Sequence, residues 1–181
     1  MGLFSKKAEL GFEPLGKLKP VKVKNNVATS KLLGYKFTLP DGFFFEDLEK
    51  YNVDPTSLTE FSAANTDSQT LISCLITHSD SKDAKELLPA WDSIKPKLEV
   101  AMLSRVFRDF DESRMSHKVF LGYNCVYYSG VITNEFRDGR LRHRDTYLYL
   151  TPFAIFSFSI ITPEDSSTNS SSLFKYFEDI K

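Results

Sequence analysis

The stretch that decides the fold runs from Tyr123 to Ile161 and reads YNCVYYSGVITNEFRDGRLRHRDTYLYLTPFAIFSFSII. Apolar and polar residues alternate along three parts of it, a pattern typical of β-strands. These parts are Tyr123–Phe136, Leu141–Leu150 and Phe153–Ile161. The dipeptide Asp138-Gly139 is a strong hairpin signal, and short connections make consecutive strands antiparallel neighbours. The stretch therefore predicts a three-stranded antiparallel meander.

Upstream of the meander, two segments have the character of strands and one that of a loop. Tyr35–Leu39 alternates before a Pro-Asp-Gly turn, and Phe43–Phe45 follows as a short strand. Residues 46–60 are polar and predict a loop that contains a helical turn at most. Gln69–Thr77 is an apolar run of strand length, so it is expected to enter the core.

Two helices complete the expected elements. Between Lys82 and Phe107, apolar residues recur at spacings of three and four, which predicts an amphipathic helix. Pro96 lies inside that segment and should kink or break it, because proline lacks a backbone N–H. From Leu173 to Ile180 a shorter apolar stripe predicts a helix that closes the fold.

The chain has 181 residues, which suits one domain. Residues 1–31 differ from the rest of the chain, because lysines recur there, Pro14 and Pro20 interrupt, and no strand or helix period is sustained. We therefore predict a basic, weakly structured arm over 1–31 and a single α+β domain over 32–181. In this domain an antiparallel sheet packs against one long helix and one short C-terminal helix.

This order of elements resembles the Mog/PsbP-like fold, to which Ran-binding Mog, photosystem PsbP and bacterial DcrB-type proteins belong. The resemblance is carried by Tyr35–Phe45 (YKFTLPDGFFF), the long central helix, the hairpin-rich second half and the closing helix. Members of this fold mostly bind partners without catalysis. The resemblance therefore implies a non-enzymatic binding module and supplies no catalytic residue.

Composition excludes some kinds of partner and location. There are 23 basic and 24 acidic residues, so no chain-wide charge attracts nucleic acid or an anionic membrane. No apolar run is long enough to span a bilayer, and the N-terminal MGLFSKK lacks the apolar core of a secretory signal. We expect a cytoplasmic protein with neither a membrane span nor a nucleic-acid partner.

Motifs for catalysis, metals and cofactors are absent from the sequence. His78 near Asp80 and Asp83 is the nearest approach to a metal-ligand set, yet no zinc-binding spacing occurs. There is no nucleophile elbow and no glycine-rich phosphate loop. Cys74 and Cys125 sit in apolar runs typical of buried thiols, and spacing leaves their pairing open. We predict no catalytic residue, no cofactor and no metal.

The hairpin tip carries the most informative charges. On a strand, Arg140, Arg142 and Arg144 would project from one face. Such a stripe suits an acidic peptide, a phosphate or a lipid headgroup, because guanidinium forks bind these groups in a bidentate manner. The alternative is a hairpin extending into water, with its arginines partly neutralised by Asp138 and Asp145.

The opposite face of the same strand carries tyrosines, which suit interfaces because they combine an apolar ring with a polar tip. The alternative is a face covered by the helix that contains Trp91. Together the two faces define the predicted partner-binding residues. They are Arg137, Arg140, Arg142, His143, Arg144, Tyr127, Tyr147 and Tyr149.

These observations predict a non-enzymatic adaptor or chaperone-type domain that binds another protein, for example a secreted or membrane-associated client. One alternative is a hydrolase or small-molecule enzyme whose site is assembled from separated residues such as Cys74, His78 and Asp80. Another alternative is a self-associating structural subunit.

Overall fold

The computed structural model describes residues 21–48, 57–78, 86–133 and 139–180. In these ranges eleven strands form two antiparallel sheets beside one long helix, α1 (Trp91–Val106). In chain order the strands are β1 (Lys22–Lys24), β2 (Val27–Ser30), β3 (Tyr35–Thr38), β4 (Phe44–Phe45), β5 (Ser57–Asn65), β6 (Thr70–His78), β7 (Ser116–Phe120), β8 (Tyr123–Val131), β9 (Arg142–Leu150), β10 (Ala154–Pro163) and β11 (Phe177–Asp179). The α+β class is therefore confirmed.

The large sheet has seven strands in the order β4-β5-β6-β10-β9-β8-β7, and the small sheet has four in the order β1-β2-β3-β11. The predicted meander is confirmed, since β8, β9 and β10 are antiparallel neighbours. Strand β8 ends at Val131 and β9 begins at Arg142. Residues 134–138 of the hairpin tip lie outside the described ranges.

Each face of the large sheet carries a buried core cluster. One face packs against the small sheet around an aromatic core that includes Phe37, Phe61 and Phe158. The other face packs against α1 through a second cluster that includes Leu103 and Leu148. The alternation of side chains along β8, β9 and β10 therefore sends residues into two separate cores.

The predicted boundary at residue 32 falls within the folded part. Strands β1 and β2 precede it, and the two-residue turn Asn25-Asn26 joins them with φ angles of 49° and 60°. Positive φ at both central positions is the geometry of a type I′ hairpin turn, which asparagine tolerates better than most residues. The arm predicted over 1–31 is thus corrected at its C-terminal end, and residues 1–20 lie outside the described ranges.

The loop predicted over 46–60 is wrong at its C-terminal end, where Ser57 begins β5. Next to β6 the pairing shifts register between Thr59 and Phe61, as at a β-bulge. Glu60 lies at this shift and is 2% exposed, so a polar residue points into the core. The polar residue at this buried position interrupts the alternation of apolar and polar residues, which is why the sequence pattern predicted a loop.

Helix α1 continues through Pro96, so the predicted alternative of a break at this residue is wrong. Pro96 is the sixth residue of α1 and has no backbone N–H, so the one hydrogen bond that α1 loses is to a carbonyl of its first turn. The proline side chain is exposed. At the C-terminus the expected α-helix is a 3₁₀ segment, Ser170–Tyr176, followed by β11. Strand β11 pairs with β3, so the chain end completes the small sheet.

Candidate functional site

The predicted arginine stripe separates into several environments. Arg140 is exposed and precedes β9, so it does not continue the alternation of the strand. Arg142 is only 7% exposed, and its Nη2 lies 3.5 Å from Oε1 of Gln69. Arg144 is partly buried below α1, and Arg137 lies outside the described residues. Strand β9 therefore does not present a continuous arginine stripe to water.

The reason is that the arginine face of β9 is also the face that packs against α1. Arg144 lies two residues from Thr146 and four from Leu148, which is buried under the helix. The alternation was predicted correctly. Arg142 and Arg144 are less exposed than predicted, because this face of β9 also carries Leu148, which packs against α1.

The tyrosine face is covered as well, though by the small sheet and the C-terminal 3₁₀ segment and not by α1. Tyr147 stacks on Phe120 with ring centroids 4.3 Å apart and meets Phe174 edge-on at 4.7 Å. Tyr149 packs on Tyr123 at 4.6 Å. Tyr147 and Tyr149 are therefore partly buried by aromatic packing on this face.

An open polar cleft of about 340 Å³ lies at one end of this face. Two predicted site residues, Tyr127 and His143, line it together with Ser129 and Asp145. The far wall is the segment 162–171, which follows β10 and begins the 3₁₀ segment. We call this feature the polar cleft. It brings the sheet end and the serine-rich segment together.

Asp145 forms the floor of the polar cleft and is 2% exposed. Oη of Tyr127 donates a hydrogen bond to its Oδ1 at 2.5 Å, and Oγ of Ser170 donates to Oδ2. Burial, followed by this bond to Asp145, raises the pKa of the Tyr127 hydroxyl. The phenol is therefore held as a proton donor to the carboxylate.

His143 lies between Ser129 and Asp145 in an arrangement that invites comparison with a catalytic triad. Its Nε2 is 2.8 Å from Oγ of Ser129 and 3.6 Å from Oδ2 of Asp145. In a triad the acid bonds one ring nitrogen and the nucleophile the other, so that the histidine is oriented while it accepts the proton. Here both partners approach the same nitrogen. The geometry gives no support to nucleophilic catalysis by Ser129.

The residues of the predicted enzyme alternative do not form a described site. Cys74 is fully buried, and burial, followed by the charge of Glu60, raises the pKa of its thiol well above the usual range. A thiol held protonated in this way is a poor nucleophile. The side chain of His78 and the whole of Asp80 lie outside the described residues.

The two cysteines and the possible metal ligands among the described residues bear on the same enzyme alternative. Cys74 and Cys125 are free thiols, and both are buried. Among the residues that the structure describes, no group of three or more His, Cys, Asp and Glu side chains is placed to hold a metal ion. His117, which stands alone in the sequence, lies 3.0 Å from the buried Glu99 of α1.

No helix within the described ranges is long and apolar enough to cross a membrane.

Sequence reasoning missed two features that the structure brings out. The first is Glu60, which accepts hydrogen bonds from Ser30 and Tyr35 at 2.8 Å each. The second is the wall of the polar cleft, because a serine-rich loop carries no motif of its own. The signal that could have found the second is strand register, since pairing of β9 with β10 places Thr162 opposite His143.

Comparison with known proteins gives similarities to solved structures alone. No protein-family model matches the chain, and no curated protein matches it. The chain is similar to the solution structure of cyanobacterial PsbP from Synechocystis sp. PCC 6803, with 17% identity and a TM-score of 0.45, over 92% of this chain and 99% of that chain.

The chain is also similar to the crystal structure of a protein from Bacteroides thetaiotaomicron, with 15% identity and a TM-score of 0.42. That match covers 82% of this chain and 46% of the other, so the matched region is less than half of the Bacteroides protein. Both likenesses concern the fold alone.

Proposed function

We propose that this protein is a non-enzymatic binding domain that holds a basic segment of another protein in the polar cleft. The observation that carries the proposal is the lining of the cleft, which is open, hydroxyl-rich and acidic. The described lining residues include two carboxylates, Asp145 and Glu164, and no lysine or arginine. Opposite charge favours a partner that presents a lysine, an arginine or an amino terminus.

The shape and polarity of the polar cleft favour a peptide over a small metabolite. Small-molecule sites are mostly apolar and enclosed, with a few polar groups that orient the ligand. The polar cleft instead offers Ser129, Ser166, Thr168 and Asn169, whose side chains can bond to a peptide backbone. Glu164 is exposed at the rim, where a charged side chain steers a partner of opposite sign.

This proposal changes the chemistry expected from the sequence. An exposed arginine stripe favours an acidic peptide, whereas the polar cleft favours a basic one. Tyr127 and His143 remain in the proposed contact region, while Tyr147 and Tyr149 pack within the aromatic core.

The test is selection from a random peptide library displayed on phage, followed by binding measurements on the selected peptides. We expect the selected peptides to be enriched in lysine and arginine. Their affinity should fall about tenfold for Glu164→Lys and should weaken with added salt. Asp165→Lys is the matched control, because Asp165 is the exposed neighbour of Glu164, carries the same charge and does not line the cleft.

Selection of acidic or uncharged peptides would contradict the proposal, and so would equal affinity for the two lysine variants. If the selected peptides bind and the two variants behave alike, the protein binds peptides at a different surface. If no peptide is selected above background, peptide binding at the polar cleft is wrong.

A further inference from the structure

A second cavity lies on the opposite face of the large sheet, beneath the C-terminal half of α1. Its volume is about 160 Å³. Met102 and Leu103 of α1 form one wall, and Leu75, Leu148 and Ile155 of the sheet form the other. We call this feature the arginine cavity, because Arg144 is the one charged residue among its described lining residues.

The guanidinium of Arg144 is only partly satisfied by the protein. Its Nε donates to Oγ of Ser159 at 3.0 Å, and its Nη2 donates to Ser157 and Ser159 at 2.9 and 2.7 Å. Its Nη1 has no acceptor among the residues that the structure describes. Arg144 also has no carboxylate partner among the described residues. None of the described residues that line the cavity is acidic.

Hydroxyl groups do not replace a counter-charge. Ser157 and Ser159 bond to each other and to Thr146, so they form a neutral network with Arg144 at its edge. Burial lowers the pKa of Arg144 to about 10, because it disfavours the charged form. A cation removed from water beside an apolar cavity is costly unless an anion accompanies it.

We propose that the arginine cavity binds a small monocarboxylate with an apolar body. The carboxylate accepts hydrogen bonds from Nη1 of Arg144, and the apolar body contacts Leu103 and Leu148. The size of the cavity sets the size of the ligand, since an apolar protein cavity of about 150 Å³ accommodates benzene. The site lies on the face of the large sheet away from the polar cleft, so it is independent of the proposed peptide site.

The test uses benzoate with the full chain labelled with ¹⁵N, followed by NMR. Benzyl alcohol has a similar body without the charge, and acetate has the charge without the body. We expect benzoate to shift the amide resonances of Leu103, Phe107 and Leu148 in a saturable manner, with a dissociation constant on the order of 1 mM or below. Benzyl alcohol and acetate should each bind at least about tenfold more weakly, because each makes only half of the contacts.

Two variants separate the guanidinium from the apolar walls. Arg144→Met should reduce benzoate affinity at least about tenfold and leave the affinity for benzyl alcohol unchanged. Arg105→Met is the control, because Arg105 is exposed in the last turn of α1 and does not line the cavity. Benzoate should bind Arg105→Met as it binds the wild type.

Several results would overturn the proposal. One is a wild-type protein that benzoate does not perturb, or that binds benzoate and benzyl alcohol equally. Another is a folded Arg144→Met protein that keeps its benzoate affinity. A third is a set of shifts confined to the groove between Trp91 and Tyr149, which is lined by a different set of residues. The ligand series and the shift map need no variant, so the proposal stays testable if Arg144→Met does not fold.

Discussion

The two faces of the large sheet each enclose an ionisable side chain, but they treat it differently. On the face toward the small sheet, both oxygens of Glu60 accept hydrogen bonds from Ser30 and Tyr35, and the thiol of Cys74 lies 3.6 Å away. On the face toward α1, Arg144 donates hydrogen bonds to serine hydroxyls and lines a cavity. Around Glu60 the first face is packed with aromatic rings such as Phe61 and Phe158, whereas Arg144 on the second face lines a cavity.

This difference distinguishes a structural charge from one suited to binding. A buried carboxylate whose oxygens are all bonded is part of the core, and its loss affects stability. A partly buried cation that has an unused donor and lines a cavity leaves an interaction for a ligand to make. The comparison predicts large stability effects on the small-sheet face and small ones at Arg144.

The largest effect is expected for Phe61→Ala. Phe61 is 1% exposed, stacks on Phe37 at 4.6 Å and packs near Phe177 at 5.8 Å. Truncation leaves a cavity in this packing, so we expect a loss of about 3–5 kcal/mol in the free energy of unfolding. Urea denaturation followed by circular dichroism measures it.

Phe44→Ala is the matched control, since Phe44 is 47% exposed. Its loss should be well below that of Phe61→Ala. Equal losses would show that the aromatic core is not the more tightly packed region that the comparison assumes.

The next effect concerns the hydrogen bonds to Glu60. Tyr35→Phe removes the donor to Oε2 of Glu60 and keeps the ring, so the cost should be about 1–3 kcal/mol. Tyr176→Phe is the control, because the Tyr176 hydroxyl has no hydrogen-bond partner among the described residues. A Tyr35→Phe protein as stable as this control would mean that Glu60 does not depend on its hydroxyl donors.

A smaller, pH-dependent effect is expected for Glu60→Gln. Burial raises the pKa of Glu60 above its unfolded value, so its contribution to stability is fully present at low pH and declines as pH rises through the native pKa. The amide cannot ionise. From about pH 4 to pH 7 the stability difference should therefore shift toward the variant.

Unfolding free energies at several pH values measure this shift. Glu164→Gln removes one exposed carboxylate and gives the effect of that change at the surface. A Glu60→Gln difference that stays constant with pH, or moves toward the wild type, contradicts the assignment.

The smallest effect is expected for Arg144→Met in the absence of ligand. The serine and threonine hydroxyls retain one another as partners, and an apolar side chain suits the walls of the cavity. We expect a change in the free energy of unfolding of less than about 1 kcal/mol. A loss above about 2 kcal/mol, relative to Arg105→Met, would place Arg144 in the same structural class as Glu60.

Several parts of the fold could be predicted because their signals are local. Alternation along Tyr123–Ile161 predicted three antiparallel strands, and the Pro-Asp-Gly turn marked the end of β3. The hairpin of β1 and β2 also has a local signal, Asn25-Asn26 between two alternating segments, which the prediction of an arm passed over. The start of β5, Ser57–Glu60, had no local strand signal. Glu60 is a polar residue at a buried position, so the polarity pattern did not indicate a strand.

The candidate sites depended on contacts that the pattern does not contain. The sequence analysis predicted contact roles for Tyr127 and His143, which line the polar cleft, and it placed Arg142 and Arg144 on one face of a strand. It did not identify Asp145 as the floor of a cleft, because its partner Ser170 is distant in the chain.

The sequence by itself determined the α+β class, the meander and the two-sided alternation of β9, since each follows from the period of apolar residues along a short segment. Only the tertiary structure decided which face meets α1 and which meets the small sheet. The same alternation is compatible with either face exposed, because it records polarity and not the position of distant elements. For this reason Arg144 borders a cavity, Glu60 lies in the core, and the polar cleft forms where the segment 162–171 meets the end of the sheet.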